Sequence, residues 1–158
     1  MFGKKKVSKD FIEEINDLIT KLHDGIITVS GGTHGIRDKG GLYHSIHKIL
    51  LYQEENSNDP PSVGTFVYEE LTRRHHFNDG NKRTAHALAK IMLFLSGFHL
   101  KMEYKEAVKF IIEIAKYESK ISAKEIREWI EKNIVPVEGK NLEKYLNETI
   151  LDIAEHGK

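Results

Sequence analysis

The 158-residue chain contains no cysteine, which removes both disulfide staples and thiol chemistry from its options. It carries no excess charge of either sign, since 24 Lys and Arg balance 24 Asp and Glu. Without a net field, attraction to nucleic acid or to an anionic membrane surface is not expected. Long apolar runs are missing as well. The longest, Ile91–Leu95, falls far short of the about 20 apolar residues that a membrane-spanning helix needs. The basic start Met1-Phe2-Gly3-Lys4-Lys5-Lys6 is followed by alternating charges rather than the apolar centre of a signal peptide, so the cytoplasm is the default location. Internal repeats and low-complexity tracts are absent. Strand signal is scarce, and Gly25-Ile26-Ile27-Thr28-Val29-Ser30 is the one plausible extended piece.

What the chain does have is helical periodicity. With 39% apolar residues, a chain of this length can bury one core and is too short for two full domains. Phe11, Ile15, Leu18, Ile19 and Leu22 fall on one face of a helix that Ser8 would cap, and Leu42, Ile46, Ile49 and Leu50 form a second stripe. After a loop at Asn56–Pro61, Val63, Phe66, Val67 and Leu71 open a third helix. Ala85–Leu95 is apolar nearly all round, as suits a buried central helix ended by Ser96-Gly97. Val108, Ile111, Ile112 and Ala115 mark a further helix, and Ser122-Ala123-Lys124-Glu125 reads as a capping box before Ile126, Trp129 and Ile130. Pro136-Val137-Glu138-Gly139 breaks the chain ahead of a last helix carrying Leu142, Leu146, Ile150 and Ile153. The expected fold class is all-α, with one helical domain over residues 1–135 and the terminal helix of 136–158 docked on it. Dimerisation or partner binding through that last stripe is the alternative, so a homo-oligomer stays open.

The chemistry is concentrated in His75-His76-Phe77-Asn78-Asp79-Gly80-Asn81-Lys82-Arg83-Thr84. The helix that follows places this loop on a helix N-terminus, where free N–H groups attract anions. Asp79 is a hard oxygen ligand suited to Mg²⁺ bridging phosphate oxygens. Gly80 can take positive φ and bring successive N–H groups close to a phosphate, and Asn81 can add an amide donor. Lys82 and Arg83 oppose the helix dipole where they stand, so a bound phosphate explains them better than helix stability does. An unperturbed histidine titrates near neutrality, which makes His75 the natural group to take a proton from an attacking hydroxyl. Blander readings compete. His75, His76, Asp79 and His86 could form a zinc site, although no spacing matches a standard zinc signature. Arg73 and Arg74 could touch phosphate, but such a pair is more often a solvated helix face.

The pattern His75-x-Phe77-x-Asp79-Gly80-Asn81-Lys82-Arg83 resembles the signature loop of the Fic/Doc superfamily, and the ending Lys82-Arg83-Thr84 is most like its Doc (death-on-curing) branch. The stretch from Gly31 to Leu42, with His34, Gly35, Ile36, Arg37 and Asp38 at its centre, resembles the segment that precedes the loop in Doc-like proteins and contributes to their substrate-docking flap. The likeness covers roughly residues 8–133. It implies that His75 is the general base toward a hydroxyl of a target protein, that Asp79 holds Mg²⁺ on the phosphates of ATP, and that Gly80, Asn81 and Lys82 form an anion nest. It further implies that Arg83 reaches a second phosphate and that Phe77 anchors the loop in the core. Doc transfers the terminal phosphate and most Fic proteins transfer AMP. Lys82 is the Doc-like feature here, while Gly80, where Doc has Ala, is the Fic-like one. Many Fic proteins also carry an inhibitory Ser/Thr-x-x-x-Glu-Gly/Asn helix. Thr20-Lys21-Leu22-His23-Asp24-Gly25 has Asp in place of the Glu, so control by a separate antitoxin protein is expected, with a translation factor as target if the likeness extends that far. The alternative of another class is a non-catalytic nucleotide- or phosphate-binding module, which would have no need of a histidine at the mouth of the site.

Overall fold

The computed structural model describes residues 7–139 and 141–156. Helix formation begins where Ser8 accepts the Phe11 N–H at 3.1 Å and caps α1 (Lys9–Ser30). Residues 25–30, expected to be extended, are the last turns of this helix. Ile26 and Ile27 continue the buried side begun by Ile12 and Ile19, and their tertiary packing overrides the strand preference of a β-branched run. Asp38 starts α2 (Lys39–Glu55) by accepting the Gly41 N–H. Pro60 and Pro61 open α3 (Pro60–Arg73), where a missing N–H costs nothing. The later elements are α4 (Asn81–Leu95), β1 (Phe98–Leu100), α5 (Tyr104–Ala115), α6 (Ala123–Lys132), β2 (Ile134–Pro136) and α7 (Leu142–His156). Ser122 caps α6 through the Glu125 N–H, as the capping box predicts. The strands pair antiparallel with Phe98 opposite Pro136, a ribbon with no sequence signal of its own. The architecture is all-α, with this ribbon its only two-stranded sheet among the described residues.

α4 is the axis of the fold. α3, β1, α7, α1 and α5 all pack on it, and Arg83 through Lys90, together with Met92 and Leu93, are buried. α7 lies against α1, α4 and α5; of the two segments expected on either side of residue 135, residues 1–6, 140, 157 and 158 lie outside the described residues. Two stripes come out rotated. On α1, Phe11 and Leu18 are 44% and 54% exposed, and the core side is Ile12, Ile19, His23 and Ile26. On α5, Ile112 is exposed while Tyr104, Ala107, Ile111 and Ile114 are buried. Both helices carry apolar residues on more than one face, and the neighbouring helices decide which face is covered. Among the described residues, no helix is long and apolar enough to cross a membrane.

Candidate active site

The loop between α3 and α4 is shaped by two left-handed residues. His75, two residues past α3, has φ +50°, a region that few non-glycine residues occupy. The turn leaves His75 exposed while His76 and Phe77 go inward. The His75 side chain makes no hydrogen bond or ion pair among the described residues, and it lines a pocket of about 330 Å³ with Arg73, Lys116, Tyr117, Ser119 and Ile121. Phe77 is 1% exposed and stacks on the His23 ring at 3.8 Å. Gly80, with φ +76°, is the N-cap of α4, and a Cβ there would stand 2.8 Å from Ile27 Cδ1. No side chain caps α4, so the N–H groups of Asn81, Lys82 and Arg83 have no helical acceptor. The Asn81 side chain, expected as a phosphate donor, instead staples the loop: Oδ1 accepts the Phe77 N–H and Nδ2 donates to the Phe77 carbonyl, both at 3.0 Å. Its backbone N–H remains available.

The segment from Gly31 to Asp38, expected as a flap, lies along this loop. Asn78 donates its N–H to the Gly35 carbonyl at 3.0 Å and its Nδ2 to the His34 carbonyl at 3.2 Å. Arg37 and Asp38 donate their N–H groups to the His76 carbonyl at 2.7 and 3.1 Å, and Ile36 bridges Phe77. Thr33 N–H reaches Asp79 Oδ2 at 3.1 Å. This approach requires glycine at position 32, where φ is +118° and a Cβ would overlap Asp79 Oδ2.

Asp79 is the electrostatic centre. Its Oδ1 accepts the Gly80 N–H at 2.8 Å and faces Arg83 Nη2 at 3.4 Å, while 44% of the side chain stays exposed. Burial alone would raise this carboxyl, but the N–H groups of Thr33 and Gly80, with Arg83, outweigh it and hold it below the usual carboxylate range. Arg83 is 5% exposed, and Nη1 donates to Ser30 Oγ at 2.5 Å and to the Gly31 carbonyl at 2.6 Å. Its main engagement is therefore with the end of α1, a different placement from an arginine open to a second phosphate. Lys82 is half-buried and forms no ion pair among the described residues.

Beneath the loop, His76 Nε2 meets Ser45 Oγ at 2.7 Å, Ser45 donates to Glu70 at 3.2 Å, and Glu70 pairs with Lys48 at 2.5 Å and Arg74 at 3.5 Å. Burial pushes the His76 imidazole down, and it does the same to His23. Burial works against ionised Glu70, but Lys48 overcomes it and keeps the carboxyl low. Arg73 donates to the Ile114 carbonyl at 3.0 Å and pairs with Glu69, so both arginines before the motif brace α3. The zinc reading fails on His86. It is fully buried, its Nδ1 hydrogen-bonds the Tyr68 hydroxyl at 2.7 Å, and burial, aided by Lys90, pushes it down to about 3. Among the described residues, no three acids, histidines or cysteines converge on a metal position. A single half-open carboxylate beside an uncapped helix N-terminus fits an ion shared with phosphate oxygens and water, the usual mode for Mg²⁺.

Sequence reasoning missed His23, Ser30, Ser45 and Glu70. For His23 the only signal is that it shares the Ile12, Ile19, Ile26 side of α1, where a lone histidine reads as packing.

The model of the Fic/DOC family matches residues 6–93, a span that contains the Gly31–Leu42 segment and the whole loop. No curated protein matches the chain.

Proposed function

The chain belongs to the Fic/DOC family, whose model covers more than half of it, and from that membership we propose a nucleotide-dependent transferase that moves the terminal phosphate of ATP to a Ser or Thr hydroxyl of a target protein. The observation that carries the reading is one loop in which an exposed left-handed His75, a half-open Asp79 carboxylate and an uncapped N-terminus at Asn81 to Arg83 occur together. His75 takes the proton of the acceptor hydroxyl as its oxygen attacks the γ-phosphorus. The new O–P bond forms, the β–γ bridging P–O bond breaks, and its electron pair leaves with ADP. Bound Mg²⁺, with Asp79 as its protein ligand, would supply charge neutralisation on the phosphate oxygens. The N–H groups of Asn81, Lys82 and Arg83 and the Lys82 ammonium hold phosphate charge without reorganising. His34 to Asp38, tied to the loop through Gly35, Arg37 and Asp38, form the proposed dock for the target.

AMP transfer is the second reading, and Gly80 favours it. The same base and anion site would serve, with attack at the α-phosphorus. The proposed setting is a toxin restrained by a separate antitoxin protein, with a translation factor as target. In support, Asp24 lies 3.4 Å from His34 Nδ1, while Arg83 is held by Ser30 and Gly31, so the near-match on α1 does not act as a built-in plug.

The test is incubation of the protein and its His75→Asn variant with cell lysate, Mg²⁺ and ATP labelled at either the γ or the α phosphate. Asn tolerates left-handed backbone, so this change removes the base and keeps the turn. Protein label from γ alone, lost in the variant, is the expected result, and label from α would mean AMP transfer. Equal labelling by both forms would remove His75 as base, and no label from the wild type would favour a binding module.

A further inference from the structure

His23 lies outside the signature loop, in the second half of α1, yet it is the buried side chain that grips the loop's backbone. It is 0% exposed, stacks on Phe77 at 3.8 Å, and places Nε2 2.7 Å from the Asp79 carbonyl oxygen. A carbonyl oxygen offers only lone pairs, so Nε2 carries the proton and donates. Nδ1 is buried with no hydrogen-bond partner, 3.8 Å from Asp24 Oδ1. A phenylalanine at this position would stack on Phe77 without leaving a ring nitrogen unsatisfied. Packing alone therefore does not account for a histidine; the Nε2–H does.

The carbonyl and N–H of a trans peptide point in opposite directions. Drawing the Asp79 carbonyl toward α1 turns the Gly80 N–H away from α1, and there it donates to Asp79 Oδ1 at 2.8 Å. The Asp79–Gly80 peptide thus links the histidine to the carboxylate of the same aspartate, while Thr33 fixes Oδ2 separately. We propose that His23 is a positioning residue for the metal-binding role of Asp79, aiming its carboxylate through the Asp79–Gly80 peptide. The inference rests on the transferase reading, in which Asp79 holds Mg²⁺ on the nucleotide. Hydrogen bonds that orient a ligand in this way typically change metal affinity by about 10–100-fold when removed.

Three variants separate the roles of the ring. His23→Phe keeps the stack and removes the donor. His23→Gln restores an N–H where Nε2 stood, and His23→Asn places one short of it. The readout is calorimetric binding of a non-hydrolysable ATP analogue at increasing Mg²⁺, with thermal unfolding recorded for each protein. The expected result is that Phe and Asn raise the Mg²⁺ concentration for half-saturation by about tenfold or more, Gln stays within about threefold of wild type, and analogue binding without Mg²⁺ changes little. Wild-type Mg²⁺ dependence in all three variants would overturn the role of His23 and leave the transferase reading intact. A wild type whose analogue binding ignores Mg²⁺ would overturn both. If Phe or Asn fails to fold, ¹⁵N spectroscopy of the wild-type imidazole decides: a proton on Nε2 is required, and a proton on Nδ1 alone refutes the relay.

Discussion

Gly32→Ala should damage the site by displacing the Asp79 carboxylate. At φ +118° an L side chain is strained, and its Cβ would overlap Asp79 Oδ2 and lie 3.0 Å from Arg83 Nη2. Strain of this kind costs about 1–3 kcal/mol. Displacing Oδ2 also loses the Thr33 N–H bond to a carboxylate, worth about 1 kcal/mol or less at an exposed pair. The sum, about 1–4 kcal/mol, corresponds to a fall in Tm of about 2–16 °C for a chain of this size. Gly97→Ala is the control, because its φ is +94° but a Cβ there meets nothing within 4 Å. It should show strain alone, about 1–2 kcal/mol. Calorimetric titration with Mg²⁺ and an ATP analogue then separates the two, with affinity falling about tenfold or more in Gly32→Ala and unchanged in Gly97→Ala. Equal losses of Tm with wild-type affinity in both variants would refute the clasp between Gly32-Thr33 and Asp79.

Acid should destabilise the protein through His86. Its folded value of about 3 lies below the about 6.5 of an unfolded histidine, so the unfolded chain binds more protons between those values and stability falls as pH drops below 6.5. At pH 5 the loss is on the order of 2 kcal/mol. His86→Asn keeps a hydrogen-bond partner for the Tyr68 hydroxyl and cannot protonate, so urea unfolding should show a flatter pH slope, with His23 and His76 leaving a smaller slope in the same direction; an unchanged slope would count against the buried neutral imidazole. The core side of α1 is tested by a pair of truncations. Ile19→Ala should cost about 2–5 kcal/mol and Leu18→Ala less than about 1, because one is 5% and the other 54% exposed; equal costs would contradict that placement.

The local features of the site were legible because they are written in local chemistry. The Gly80 turn, the apolar Ala85–Leu95 helix and the caps at Ser8 and Ser122 each depend on a few consecutive residues. The flap came only through likeness, since backbone bonds such as Arg37 N–H to His76 O carry no side-chain signature. Ile26 to Val29 read as strand because β-branched propensity is local, while the packing that keeps them helical is not. Arg83 was expected at phosphate because its charge is visible in sequence, whereas its hold on Ser30 and Gly31 depends on where α1 ends. His76 with Ser45 and Glu70 joins three separate segments, and no spacing announces such a network.

Titration of ¹⁵N-labelled protein with Mg²⁺ and ATP tests most directly whether phosphate sits on the uncapped start of α4. The expected result is saturable shifts of the Gly80, Asn81, Lys82 and Arg83 amides, with the Thr33 amide shifting as Asp79 takes up the ion. Shifts confined to the distant pocket lined by Lys90, His99 and Tyr145, with the loop amides still, would contradict it.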